Sequence, residues 1–205
     1  MPSVAIIDFE TTGMRAGQDR IIEVGAAILE NGQVVATFNE LMDPGFCIPG
    51  FITSLTGIST AMVRGKPRPE AVMPRLRAFL GDRPCVAHNA AFDQRFFTTE
   101  MALAGEGHDR DFLCSVLLAR RLVQQAPSHR LGDLAIHLGL TMPPGMRAHR
   151  ALADVLMTCQ LWTHLQQRLQ ERLGGRKVDL DLLRTVMRKP KAGVDRYLAE
   201  FAAAG

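Results

Sequence analysis

The sequence predicts an α/β protein built on a mixed five-stranded sheet, an antiparallel meander first and parallel strands after it, flanked by helices. Three observations carry this expectation. Val4-Ala5-Ile6-Ile7 is an apolar, mostly β-branched run that reads as a buried strand. Two more strand-like runs, 20–29 and 33–42, meet at Glu30-Asn31-Gly32-Gln33, where Asn-Gly marks a tight hairpin turn. Further on, short apolar runs alternate with segments of helical periodicity, the pattern of strands and helices layered on one sheet.

In chain order, residues 13–19 are polar and read as a loop after the first strand. The segment 43–69 is punctuated by Pro44, Pro49, Pro67 and Pro69 and reads as irregular, with a short helix over 51–59. From Glu70 to Leu80 the apolar residues recur at helical spacing and Gly81 suits the stop; Pro74 fits only in a first turn. Cys85-Val86-Ala87 reads as a short buried strand, 90–103 as a helix, and 112–116 as a strand running into a helix over 117–124. A short helix over 131–138 precedes a long one over 148–173, whose apolar side carries Leu152, Val155, Cys159, Trp162, Leu165 and Leu169. Beyond Gly174-Gly175 the chain turns basic (Arg176, Lys177, Arg184, Arg188, Lys189, Lys191), and Pro190 divides it into helices over 179–187 and 194–202. The expected organisation is one domain over 1–173 and a basic helical C-terminal appendage over 174–205. That appendage either meets nucleic acid or packs on the core.

Composition excludes little but excludes it firmly. At 205 residues, 47% hydrophobic and 22% charged, the chain is an ordinary globular one. No apolar run approaches the ~20 residues of a membrane helix, and nothing resembles a signal peptide. Cys47, Cys85, Cys114 and Cys159 form no CxxC pair, and all but one lie in apolar stretches, as buried thiols of a reducing compartment would. A cytoplasmic enzyme is the expectation. The formal net charge of +3 permits a polyanionic partner without requiring one.

The first strand ends in Asp8 and Glu10. Residues two apart on a strand share a face, so both carboxylates point the same way and repel unless a cation or a shared proton sits between them; a metal site is the expectation. A search for further oxygen ligands finds Asp93 behind the strand end His88-Asn89, and Asp154, on a helical line with Leu161 and Leu165. Taken alone, Asp93 reads as a partner of the helix dipole. Asp154 would be costly to bury unpaired. His149 lies five residues before it, about 140° around an ideal helix, so the two share no helical face and His149 belongs at or before the helix start. By itself His149 reads as a surface histidine, as do His108, His129, His137 and His164, while His88 reads as structural support.

In combination and order, Asp8-Phe9-Glu10-Thr11-Thr12-Gly13, then His88-Asn89-Ala90-Ala91-Phe92-Asp93, then His149 and Asp154 resemble the DEDDh exonuclease family. This is the group of the DNA polymerase III epsilon subunit, exonuclease X, ribonuclease T and oligoribonuclease. Residues 20–26 and 88–93 look like epsilon, and 143–152 look more like exonuclease X; the likeness spans about residues 4–165.

The resemblance implies a ribonuclease H-like fold and a 3′→5′ exonuclease that releases nucleoside 5′-monophosphates, mainly from single-stranded DNA. An RNA-trimming enzyme and a proofreading subunit within a DNA polymerase complex are the alternatives. By similarity, Asp8, Glu10, Asp93 and Asp154 ligate two divalent cations, Mg²⁺ or Mn²⁺, and His149 is the general base, a role that suits an imidazole. Phe9, Thr11, Thr12, Leu55 and Asn89 become substrate contacts: Leu55 as a wedge on the terminal base, Asn89 as a hydrogen-bonding group. Phe9 fits an ordinary core position as well. Arg147 and Arg150 flank His149 and could meet phosphates or solvent. Epsilon-like sequences often carry His before the glycine at 57; this chain has Thr56, which puts one nucleotide contact in question. Some relatives are homodimers. The C-terminal part offers no sliding-clamp motif to support a polymerase partner, and the low aromatic content argues against a long base-stacking platform.

Overall fold

The computed structural model describes residues 2–107, 109–142, 145–146 and 148–203. Arg147, His108 and the Pro143-Pro144 pair of the exonuclease X-like motif lie outside the described residues.

The meander forms as expected: β1 (Val4–Thr11), β2 (Ile21–Glu30) and β3 (Gln33–Leu41) are antiparallel. Asn31 and Gly32 at the turn have φ of 50° and 79°, the pair of positive angles that a two-residue hairpin needs. β4 (Cys85–Ala87) and β5 (Phe112–Cys114) add in parallel on the other side of β1, giving the order β3-β2-β1-β4-β5.

Helices cover both faces, and the two faces of β1 divide its residues. Ala5, Ile7 and Phe9 join one core with α3 (Pro69–Leu80) and α4 (Ala90–Leu103). Val4 and Ile6 join the other with α5 (Ser115–Leu122), α6 (Leu131–Leu138) and α7 (Ala151–Arg172). Asp8 and Glu10 continue the line of Val4 and Ile6, so they emerge on the α7 side. In α7 the side chains of Val155, Cys159, Trp162, Leu165 and Leu169 are buried as the periodicity predicts, while Leu152 at the head of that stripe is only half-buried. Two short helices, α1 (Gly50–Thr56) and α2 (Thr60–Val63), order the segment read as irregular around Ile22, Ile48, Ile52, Ile58 and Val63.

The last helices, α8 (Leu180–Arg188) and α9 (Val194–Ala203), place Leu182, Leu183, Val186, Val194 and Leu198 in the same core as the α7 stripe. Asp179 caps α8, its carboxylate accepting from the N–H of Leu182 at 2.8 Å. Among the basic residues there, Arg184 pairs with Asp111 and Asp181, and Arg176 donates to the carbonyl of Phe201 at 2.8 Å.

Three details differ from expectation. Pro74 sits inside α3, which starts at Pro69. Burial of Val72, Met73, Leu76 and Leu80 outweighs the one backbone hydrogen bond the ring removes. The long helix begins at Ala151 rather than 148, since His149 has φ of 60° and cannot continue it. Cys114 is half-buried at the end of β5, leaving Cys85 and Cys159 as the buried thiols; all four cysteines are free.

Candidate active site

β4 is short, and its length shapes the site. It pairs with β1 only through Ala5 and Ile6, so from Ile7 onward that edge of β1 has no neighbouring strand. The start of α4 moves into the opening. Asp93, 2% exposed, accepts the N–H of Phe9 at 3.3 Å, satisfying a backbone donor that would otherwise lack a partner. Asn89, with φ of 78°, makes the sharp turn from β4 into α4. His88 fixes that turn from beneath, its Nδ1 against Ser115 Oγ at 2.9 Å and its Nε2 against the carbonyl of His129 at 3.0 Å. Burial pushes the His88 pKa down to about 4, which keeps the ring neutral and structural.

On the other bank, the N-terminus of α7 lies directly on β2. A side chain at Gly25, the residue opposite Asp8, would put its Cβ 2.5 Å from the main-chain carbon of Ala151. Only glycine permits this approach. Asp154, in the first turn of α7, is thereby brought to the strand end, and oxygens of Asp8, Glu10 and Asp154 lie within 4.8 Å of one another. His149 stands exposed just before the helix, its backbone N–H donating to Asp154 Oδ2 at 3.2 Å.

The electrostatics are those of an acidic cluster whose burial and mutual repulsion outweigh the opposing charges of Arg150 on Glu10 and His149 on Asp154. Glu10 is raised to about 8, by burial first and then by the charges of Asp154 and Glu23. Asp93 is raised to about 8 by burial, with the Glu10 charge adding to it. Asp8 is pushed well up by burial, then by Asp93 and Glu10; Asp154 is raised mainly by burial. Among the described residues no Lys or Arg forms an ion pair with any of the four. An all-carboxylate oxygen donor set held together against its own repulsion fits a hard divalent cation.

The expected substrate contacts divide. Leu55 on α1 is 50% exposed and free to meet a base. Asn89 is exposed and its side chain has no hydrogen-bond partner among the described residues, so its ordering role falls to its backbone. Phe9 packs in the core at 4% exposure, and its N–H goes to Asp93. Thr11 and Thr12 are buried with their hydroxyls turned to the loop, Thr11 Oγ1 to the carbonyl of Gly13 at 2.6 Å and Thr12 Oγ1 to Asp19 at 3.3 Å. Thr56 is buried too, its hydroxyl donating to the carbonyl of Ile52 at 2.9 Å. Sequence reasoning missed Glu23 and Gly25. A glutamate and a glycine inside the strand Ile21-Ile22-Glu23-Val24-Gly25-Ala26 were the available signals.

Carboxylates gathered at the end of a central ribonuclease H-like strand, faced by a histidine at a helix start, are the arrangement of a phosphodiester-cleaving nuclease. Comparison with known proteins makes the assignment narrower: the chain belongs to the RNase_T exonuclease family, whose sequence profile matches residues 5–162. The DNA polymerase III subunit epsilon-like protein of Rhodobacter capsulatus is 36% identical over 170 residues, 82% of this chain and 24% of that protein. The DNA polymerase III PolC-type of Clostridium perfringens is 33% identical over 190 residues, 93% of this chain but 13% of that protein. The chain thus spans a small part of these relatives. Among solved structures, exonuclease X in complex with 5′-overhanging duplex DNA superposes with a TM-score of 0.71 at 27% identity, covering 90% of this chain and 99% of that one. The nuclease domain of 3′hExo, a DEDDh family member bound to rAMP, shares the fold at 18% identity and a TM-score of 0.68, covering 80% of this chain and 92% of that one.

Proposed function

We propose that the protein is a 3′→5′ exonuclease acting mainly on single-stranded DNA ends and releasing nucleoside 5′-monophosphates with Mg²⁺ or Mn²⁺. The observation that carries the reading is the convergence of Asp8, Glu10 and Asp154 within 4.8 Å beside buried Asp93. Asp8, Glu10, Asp93 and Asp154 hold the cations. Two divalent cations, when bound, supply the charge that acidifies a water and stabilises a leaving 3′ oxygen. His149 takes the proton of that water as its oxygen attacks phosphorus; the P–O3′ bond breaks and the 3′ oxygen leaves as an alkoxide that takes a proton from solvent to become the hydroxyl. Asp154 orients His149 through the backbone N–H of the histidine. Leu55 bears on the terminal base. The segment 174–203 is a fixed extension of the nuclease domain, since α8 and α9 share its core.

A second reading, proofreading within a DNA polymerase complex, is favoured by the PolC-type and epsilon-like relatives. Digestion of matched single- and double-stranded DNA and RNA with Mg²⁺, Mn²⁺ or chelator, with product analysis, tests the primary reading. Mononucleotides released fastest from single-stranded DNA are expected. Faster release from RNA would move the assignment to the RNA-trimming branch. Preference for a mispaired 3′ terminus over a paired one would support proofreading.

A further inference from the structure

We propose that Glu23 and Arg150 form a clamp that positions His149 over the carboxylate cluster. The clamp rests on the reading of His149 as general base.

Glu23 is a charge in an unexpected place: it is 0% exposed, in the sheet, directly opposite Glu10 on β1. Like charges facing each other across a strand pair are unfavourable, and a buried carboxylate needs compensation. All the compensation comes from one spot in the chain. Arg150 donates from Nε to both Glu23 oxygens at 3.2 and 3.0 Å, and from a terminal nitrogen to Oε1 at 2.6 Å. The N–H of Ala151, the first residue of α7, donates to Oε2 at 3.0 Å. A carboxylate from β2 therefore caps α7, which has no capping side chain of its own.

The residue just before this anchor is His149. Its φ of 60° is a left-handed conformation that non-glycine residues rarely adopt. Such a backbone persists when its surroundings determine it. Here the chain is fixed immediately after His149 by the fork on Glu23, and His149's own N–H is held by Asp154. Gly25, two residues along the same strand, admits the α7 terminus to the sheet. Glu23 and Gly25 thus set, from one strand, the direction and the depth at which the histidine stands. With its Nε and one terminal nitrogen engaged, Arg150 is turned inward rather than toward a phosphate.

A clamp acting through His149 makes an expectation that a purely structural ion pair does not. Arg150→Lys keeps the charge and loses the fork; Glu23→Gln keeps the shape and loses the charge. Each is measured alone and in the His149→Ala background, by steady-state release of the 3′-terminal nucleotide over a range of substrate concentrations in saturating Mg²⁺. Arg150→Lys is expected to lower kcat roughly 10²-fold, the effect of a displacement of about 1 Å, with KM nearly unchanged. In the His149→Ala background the same substitution is expected to cost nothing further. An equal loss in both backgrounds, an unchanged kcat, or a loss confined to KM would overturn the clamp. Arg150 is about one-third exposed, so Arg150→Lys carries the test if Glu23→Gln does not fold. If His149→Ala alone cleaves at the wild-type rate, the general-base reading has failed, and the clamp falls with it.

Discussion

At the end of the sheet where β4 and β5 begin, several arginines are paired with carboxylates; at the end where β1 stops, four carboxylates have no ion-pair partner among the described residues. The first end holds a cleft of about 720 Å³ lined by Arg77, Arg83, Arg110 and Arg184 among others. There Arg77 pairs with Glu106, Arg83 with Glu30 at 3.1 Å, and Arg184 with Asp111 and Asp181, while Arg110 donates to two carbonyls. At the other end oxygens of Asp8, Glu10 and Asp154 crowd within 4.8 Å, Asp93 is near enough for its charge to raise Asp8, and the nearby Arg150 is committed to Glu23. The lesson is that cavity size does not mark the site. The better pointer to a candidate site is repulsion that the fold maintains, since buried like charges are what a bound cation would offset.

Breaking the uncompensated end should have the largest effect. Asp8→Asn is expected to lower exonuclease turnover by roughly 10³-fold or more, since it weakens the cation hold that acidifies the attacking water. His149→Ala comes next, with a loss of roughly 10²–10⁴-fold and divalent-ion affinity kept, as calorimetric titration would show.

The third expectation concerns stability. Without metal, Glu10 and Asp93 are raised to about 8, and Asp8 and Asp154 also upward. Between the ordinary carboxylate range near 4.5 and pH 8 the folded protein therefore holds protons that the unfolded chain has released. Its stability should fall as pH rises through that window. Thermal melts of the metal-free protein should show this decline, Mg²⁺ should reverse it, and Asp8→Asn should blunt it. The smallest effect belongs to the compensated end. Arg77→Gln removes a half-exposed pair, and should cost under about 1 kcal/mol in a denaturant titration and leave cleavage unchanged.

Much of the fold was legible because its signals are local. The Asn31-Gly32 turn, the apolar β1 run and the α7 stripe each specify structure within a few residues. The paired carboxylates Asp8 and Glu10 were legible for the same reason, at the end of an apolar strand, whereas Asp93, which alone reads as a partner of the helix dipole, joined them only through the motif order. What could not be read depends on contacts distant in sequence. Phe9 and Thr12 sit in the right motif, yet their side chains are claimed by the core and by Asp19. Glu23 acquires its meaning from Arg150, 127 residues away. Pro74 inside α3 is likewise a tertiary decision, made by the packing of Met73 and Leu76.

The most direct test of the contrast between the two ends is a Mn²⁺ titration of the wild type, Asp8→Asn and Arg77→Gln, read by electron paramagnetic resonance. The expected result is about two bound ions per wild-type chain, as a two-cation site requires, the same for Arg77→Gln, and a sharply weakened site in Asp8→Asn. Binding that is absent from the wild type, or unchanged by Asp8→Asn, would contradict the assignment of the acidic end as the catalytic one.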